Sequence, residues 1–178
     1  MNTFPFPGRE LAMDELRRDV CFSKIPPADY ETVIDLAWNS GTNAAREMSA
    51  DFRSKSISQI AGDSGLRVVR ENKDKVLGGT RYFCEYLTGT SEITLYLKAV
   101  QLWAAQNKLE MHLAVNLILA HEYYHFLEHS RIGFTSHKYS VPALKIGKLS
   151  LGKTGIRAMS EIGAHAFALV YFNAVEGE

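Results

Sequence analysis

Cysteine is nearly absent from this chain. Two occur in 178 residues, Cys21 and Cys84, far apart and in no metal-like spacing. They form no disulfide framework, and they fit a reducing compartment. An excess of either charge is missing as well, because 20 basic side chains meet 20 acidic ones. Bulk electrostatics therefore offer no attraction to nucleic acid or to an anionic membrane. Long apolar runs are also missing. The longest, LAVNLILA over 113–120, is too short to span a bilayer and contains Asn116. The start, MNTFPFPGRELAMDE, has neither the basic residues nor the apolar stretch of a secretory signal. These absences lead us to expect a cytoplasmic protein without membrane or nucleic-acid partners.

Proline is scarce after residue 27. Four of the five lie at positions 5, 7, 26 and 27. We expect residues 1–27 to form a Pro-rich arm over the body, with a short helix at 10–20. The rest has globular composition, 46% hydrophobic and 22% charged, at the length of one domain spanning 1–178. Residues 28–48 read as a helix with Val33, Leu36, Ala37 and Ala44 on one face and Gly41 as an interruption. A Ser cap opens a short helix over 56–65. Residues 66–70, 80–87 and 92–97 are rich in Val, Ile, Thr, Tyr and Phe and are punctuated by glycine, which predicts three strands. Helices follow at 98–107 and 110–130, then a polar loop over 133–154, then a last helix over 155–175. The expected class is α+β.

The helix at 110–130 carries HEYYHFLEH, residues 121–129. Residues four apart on a helix share a face, so two imidazoles at that spacing converge on one ion. His121 with His125 satisfies this, and so does His125 with His129. All three cannot share one ion, because His121 and His129 lie roughly 12 Å apart along the axis. The metzincin pattern fails, because the positions where it needs Gly and His hold Glu128 and Arg131. A carboxylate from another helix remains. Glu161 is a lone acid among Ile156, Ala158, Met159, Ile162, Ala164, Ala166 and Phe167. An unpaired carboxylate is costly to bury, so a metal is its natural partner.

HEYYH on a helix, followed by SEIGAHAFA, resembles the glutamate-zincins, and among them the ImmA/IrrE-type metallopeptidases. SISQIAGDSGLRVV and EITLYL extend the resemblance upstream, so that it covers about 56–173. It departs from the family in the bulky Tyr123 and Tyr124 and in the long connection from His125 to Glu161, which bear on pocket shape. The resemblance implies a zincin-like domain, with a three-stranded sheet packed against the HExxH helix and a C-terminal helix carrying the glutamate ligand. It implies Zn²⁺ held by His121, His125 and Glu161, and peptide-bond hydrolysis by a zinc-activated water with Glu122 as general base. It also suggests a protein or peptide substrate such as a transcriptional repressor.

An oxyanion needs a second donor. His137 comes first as the candidate and Tyr139 second, ahead of Arg131 and His165. A substrate peptide can add as a strand to the edge at 92–97. Tyr123 is expected in the core, Tyr124 at the pocket, and His165 as a packing or supporting histidine. Glu128 and His129 are expected to close the helix past the metal. Three other readings compete. The inverted HxxEH would use His125 and His129 with Glu128 as base. A helix-turn-helix at 35–41 would carry four acids (Asp29, Glu31, Asp35, Glu47) against Arg46, which repels phosphate. A metal-binding but catalytically idle scaffold has no use for Glu122.

Overall fold

The structure is a computed structural model that describes residues 3–87, 89–147 and 149–176. Residues 1 and 2 of the expected arm and residue 148 of the expected loop lie outside the described residues. The arm runs through a 3₁₀ turn, Arg9–Leu11, into the short helix α1 (Ala12–Arg17). Its Phe4 ring lies 5.5 Å from Phe172, and its Phe6 ring 5.2 Å from Trp103.

Helix α2 (Tyr30–Glu47) buries Val33, Ile34, Ala37, Gly41, Ala44 and Ala45, a stripe at helical spacing. Leu36, expected on that stripe, points outward. Helices α3 (Ser49–Ser54) and α4 (Ile57–Asp63) follow. The predicted Ser cap is a full capping box: Gln59 N donates to Ser56 Oγ, and Ser56 N donates to Gln59 Oε1.

The strands are β1 (Arg67–Glu71), β2 (Lys75–Leu77), β3 (Thr80–Tyr82), β4 (Cys84–Leu87) and β5 (Glu92–Tyr96). The expected strand at 80–87 is thus two strands broken at Phe83. The first half pairs with β2 in a separate hairpin. The three-stranded sheet has the order β1-β5-β4, with β5 parallel to β1 and antiparallel to β4. The expectation of a free edge at 92–97 is therefore corrected. β5 is the central strand, which is why Ile93, Leu95 and Tyr96 are buried. The edge strands are β1 and β4.

Helix α5 (Leu97–Asn107) leads to α6 (Met111–Leu127), which is buried on nearly every side. It ends in one π turn, Glu128–Ile132, and a 3₁₀ turn, Thr135–His137. The expected polar loop is instead a hairpin of β6 (Ser140–Ile146) and β7 (Leu149–Gly155). Its cross-strand pair Leu144 and Leu151 is exposed, so no alternation of buried and exposed residues marked it as sheet. Helix α7 (Ala158–Glu176) closes the chain.

The result is α+β, with two apolar clusters that share α7. One is built on α4, β5, α5 and α6 with Ala164, Phe167, Ala168, Tyr171 and Phe172 of α7. The other joins α1 and α2 to Ile156, Ala158, Met159 and Ile162. Gly41 does not interrupt α2. A Cβ there would lie 1.9 Å from the carbonyl oxygen of Gly163, so glycine lets the backbones of α2 and α7 touch. Residues 35–41 lie inside one continuous helix, which removes the helix-turn-helix reading. Among the described residues, no helix is long and apolar enough to cross a membrane.

Candidate metal centre

Helix α6 puts His121 and His125 on one face, one turn apart. The first turn of α7 brings Glu161 to them. One ligand atom from each of the three lies within 4.8 Å of the other two, so the group can hold a metal ion. His121 Nε2 is 3.3 Å from one Glu161 oxygen, and His125 Nε2 is 3.5 Å from the other. Charge-assisted N–H···O bonds run about 2.7–2.9 Å, so these contacts are loose as direct bonds. Two donors held tetrahedrally about 2.0–2.1 Å from one zinc ion lie roughly 3.3–3.4 Å apart. The spacing permits a metal ion, and the donor set, two imidazoles and a carboxylate, is one that zinc accepts.

Charge follows the same geometry. Burial raises the Glu161 carboxyl, but the His121 imidazole beside it and the nearby His125 more than reverse this and hold it at about 2. Burial lowers His125, yet its bond to Glu128 and the charges of Glu161 and Glu122 carry it up to about 9. Burial and then the neighbouring His121 take His165 down to about 3, which leaves it neutral. The His165 ring packs 5.3 Å from His121, and Phe6 stacks on both rings, at 5.5 and 5.4 Å.

His125 and Glu161 open into a cleft of about 500 Å³ with β4 along one side; His121 lines a smaller one. Glu122 lines both, and the smaller, of about 220 Å³, reaches Phe6 and Ile118. Cys84 is shared by the two. Its thiol is pushed well above the usual range by burial, and the charge of Glu122 adds to this.

His137 and Tyr139 do not line the cleft. The His137 ring lies 5.3 Å from Phe134. Tyr139 Oη donates to Asp29 Oδ2 at 2.6 Å, a bond that raises its pKa to about 12. Arg131 lines a separate surface pocket. The polar groups that do line the cleft near Glu161 are Arg157 and Ser160, which the sequence reading had not singled out. Tyr123 is core as expected. Tyr124 is core too, with its hydroxyl 2.5 Å from Thr135 Oγ1 rather than at the pocket. Cys21 is buried among α1 and α2, in the second cluster.

The inverted HxxEH set is not assembled. His129 packs edge-on to Phe134 at 4.6 Å, and Glu128 turns inward. Comparison of the chain with family models, with curated proteins and with solved structures finds no match.

Proposed function

We propose that the protein is a zinc metallopeptidase of the glutamate-zincin type, with a zincin-like arrangement of α6, α7 and the three-stranded sheet. The observation that carries this reading is the convergence of His121, His125 and Glu161, with Glu122 beside His125 and Glu161 on the wall of one cleft and beside His121 on the wall of a smaller one. A purely structural zinc site closes with four protein ligands, whereas three protein ligands suit a catalytic one.

His121, His125 and Glu161 would hold the ion. Zinc, when bound there, supplies Lewis acidity toward water and toward a substrate carbonyl. Glu122 takes the proton of the attacking water and returns it to the leaving amine. Arg157, exposed just before α7 and without a carboxylate partner among the described residues, donates to the oxyanion. An extended peptide pairs with the free edge of β4, beside which Tyr86 and Leu87 line the cleft. The substrate is a protein or peptide, with a transcriptional repressor as the family resemblance suggests.

The test compares wild type with Glu122→Gln in zinc content and in cleavage of a proteome-derived peptide library read by mass spectrometry. We expect one zinc per chain in both proteins and at least about a 10²-fold loss of cleavage in the variant. Equal cleavage by both would refute the role of Glu122. Zinc bound by a wild type that cleaves nothing would favour the idle scaffold.

A further inference from the structure

Glu128 is the most deeply buried acid of the chain's described residues, at 3% exposure, and the mechanism above does not use it. A buried carboxylate needs partners to offset its lost hydration. This one has three. Its Oε2 lies 3.1 Å from His125 Nδ1. Its Oε1 accepts from Thr135 N at 2.7 Å and from Ser160 Oγ at 2.8 Å.

The partners are themselves fixed. Thr135 Oγ1 is 2.5 Å from Tyr124 Oη and 3.4 Å from Ser40 Oγ, and Lys138 Nζ donates to Ser40 Oγ at 2.7 Å. Glu128 thus ends a chain of polar contacts that starts at Lys138 and crosses from α2 to α6. Ser160 adjoins Glu161. One carboxylate therefore ties the helix of His125 to the helix of the third ligand.

We propose that Glu128 is a positioning residue for the metal centre, an inference that rests on the metallopeptidase reading. With Oε1 accepting from both Thr135 and Ser160, Glu128 turns Oε2 to His125 Nδ1, which places a proton on Nδ1 and leaves Nε2 as the atom a metal would take. His121 is held differently. Its buried Nδ1 has no hydrogen-bond partner among the described residues, and the rings of Phe6 and His165 clamp it instead. Among the described residues, polar orientation at Nδ1 of the two imidazoles comes from Glu128.

Glu128→Gln keeps the shape but turns an NH₂ toward His125 if Oε1 keeps Thr135 and Ser160. His125 must then accept at Nδ1, which puts its proton on Nε2 and blocks the ligand atom. Zinc affinity, read by competition with a chromophoric chelator, should fall about 10- to 100-fold. Ser160→Ala removes one anchor of Glu128 and no ligand, and should weaken zinc by a smaller factor. It serves if Glu128→Gln does not fold, and melting of the metal-free variants separates folding from binding. Nitrogen-15 spectra of the zinc-loaded wild type should show His125 protonated at Nδ1. Unchanged affinity in a folded Glu128→Gln, or zinc on Nδ1 of His125, overturns the assignment of Glu128. A folded wild type that binds no zinc overturns the metallopeptidase reading instead.

Discussion

Gly41 offers a test in which local and tertiary forces have opposite signs. Replacing a mid-helix glycine by alanine stabilises a helix by about 1 kcal/mol when nothing opposes the methyl group. At Gly41 the new Cβ would meet the Gly163 carbonyl oxygen at 1.9 Å and its carbon at 2.7 Å. The obstacle is backbone, and Gly163 cannot retreat freely. A Cβ at Gly163 would itself touch Tyr124 at 2.6 Å, so this stretch of α7 already lies against that ring. Overpacking costs about 1–3 kcal/mol and sometimes more. With a backbone obstacle we take the upper end, about 3 kcal/mol, which leaves a net loss of about 2 kcal/mol after the helix gain. For a chain of this size that lowers Tm by about 4–8 °C. Gly62 in α4 is the control, since a Cβ there meets nothing within 4 Å. Gly62→Ala should be stabilised by about 0.4–1 kcal/mol. Thermal melts of the metal-free proteins decide the matter. If Gly41→Ala melts at or above wild type, α2 and α7 do not touch as described and the reasoning fails. Since Gly163 follows Glu161 by two residues, Gly41→Ala should also weaken zinc.

Two further predictions concern charge and a single hydroxyl. In the metal-free protein His125 is held at about 9 against an ordinary 6.5, so its contribution is complete below 6.5 and is lost as pH rises through 9. Glu161 is held at about 2 against 4.5, so its contribution is complete above 4.5 and is lost as pH falls through 2. Melting temperature against pH should therefore show both contributions intact between 4.5 and 6.5, with an alkaline decline that His125→Ala flattens; an unchanged decline in that variant would contradict the assignment. Tyr139→Phe loses the bond to Asp29, worth about 1 kcal/mol, and should lower Tm by about 2–4 °C with kcat/KM within roughly twofold of wild type. A 10²-fold fall in kcat would instead return Tyr139 to the oxyanion role.

The three candidate ligands were legible because their signals are local. His121 and His125 need only the helical repeat, and Glu161 stood out as one acid in an apolar helix. The helices themselves were legible for the same reason, since α6 and α7 are apolar over many turns. What was not legible depends on partners far along the chain. β5 is central because its parallel pairing joins Arg67 to Glu92, and no local pattern distinguishes a central strand from an edge. Tyr139 is spent on Asp29, which comes 110 positions earlier. Glu128 looked like a helix end, and only the return of Ser160, 32 positions later, makes it a buried acceptor. The β6–β7 hairpin escaped because Leu144 and Leu151 face solvent. Gly41 was read for its backbone freedom, whereas the fold uses its lack of a side chain.

The ring of Phe6 touches both Trp103 and His121. The chain thus carries an optical probe beside the candidate metal centre. Indole emission is quenched by a nearby open-shell ion, whereas zinc is a closed-shell ion. Cobalt at His121 should dim Trp103 and zinc should not, while Trp38 packs against the second cluster and serves as the internal reference. A titration of emission would then count ions entering the centre in the unlabelled protein, before any substrate is known.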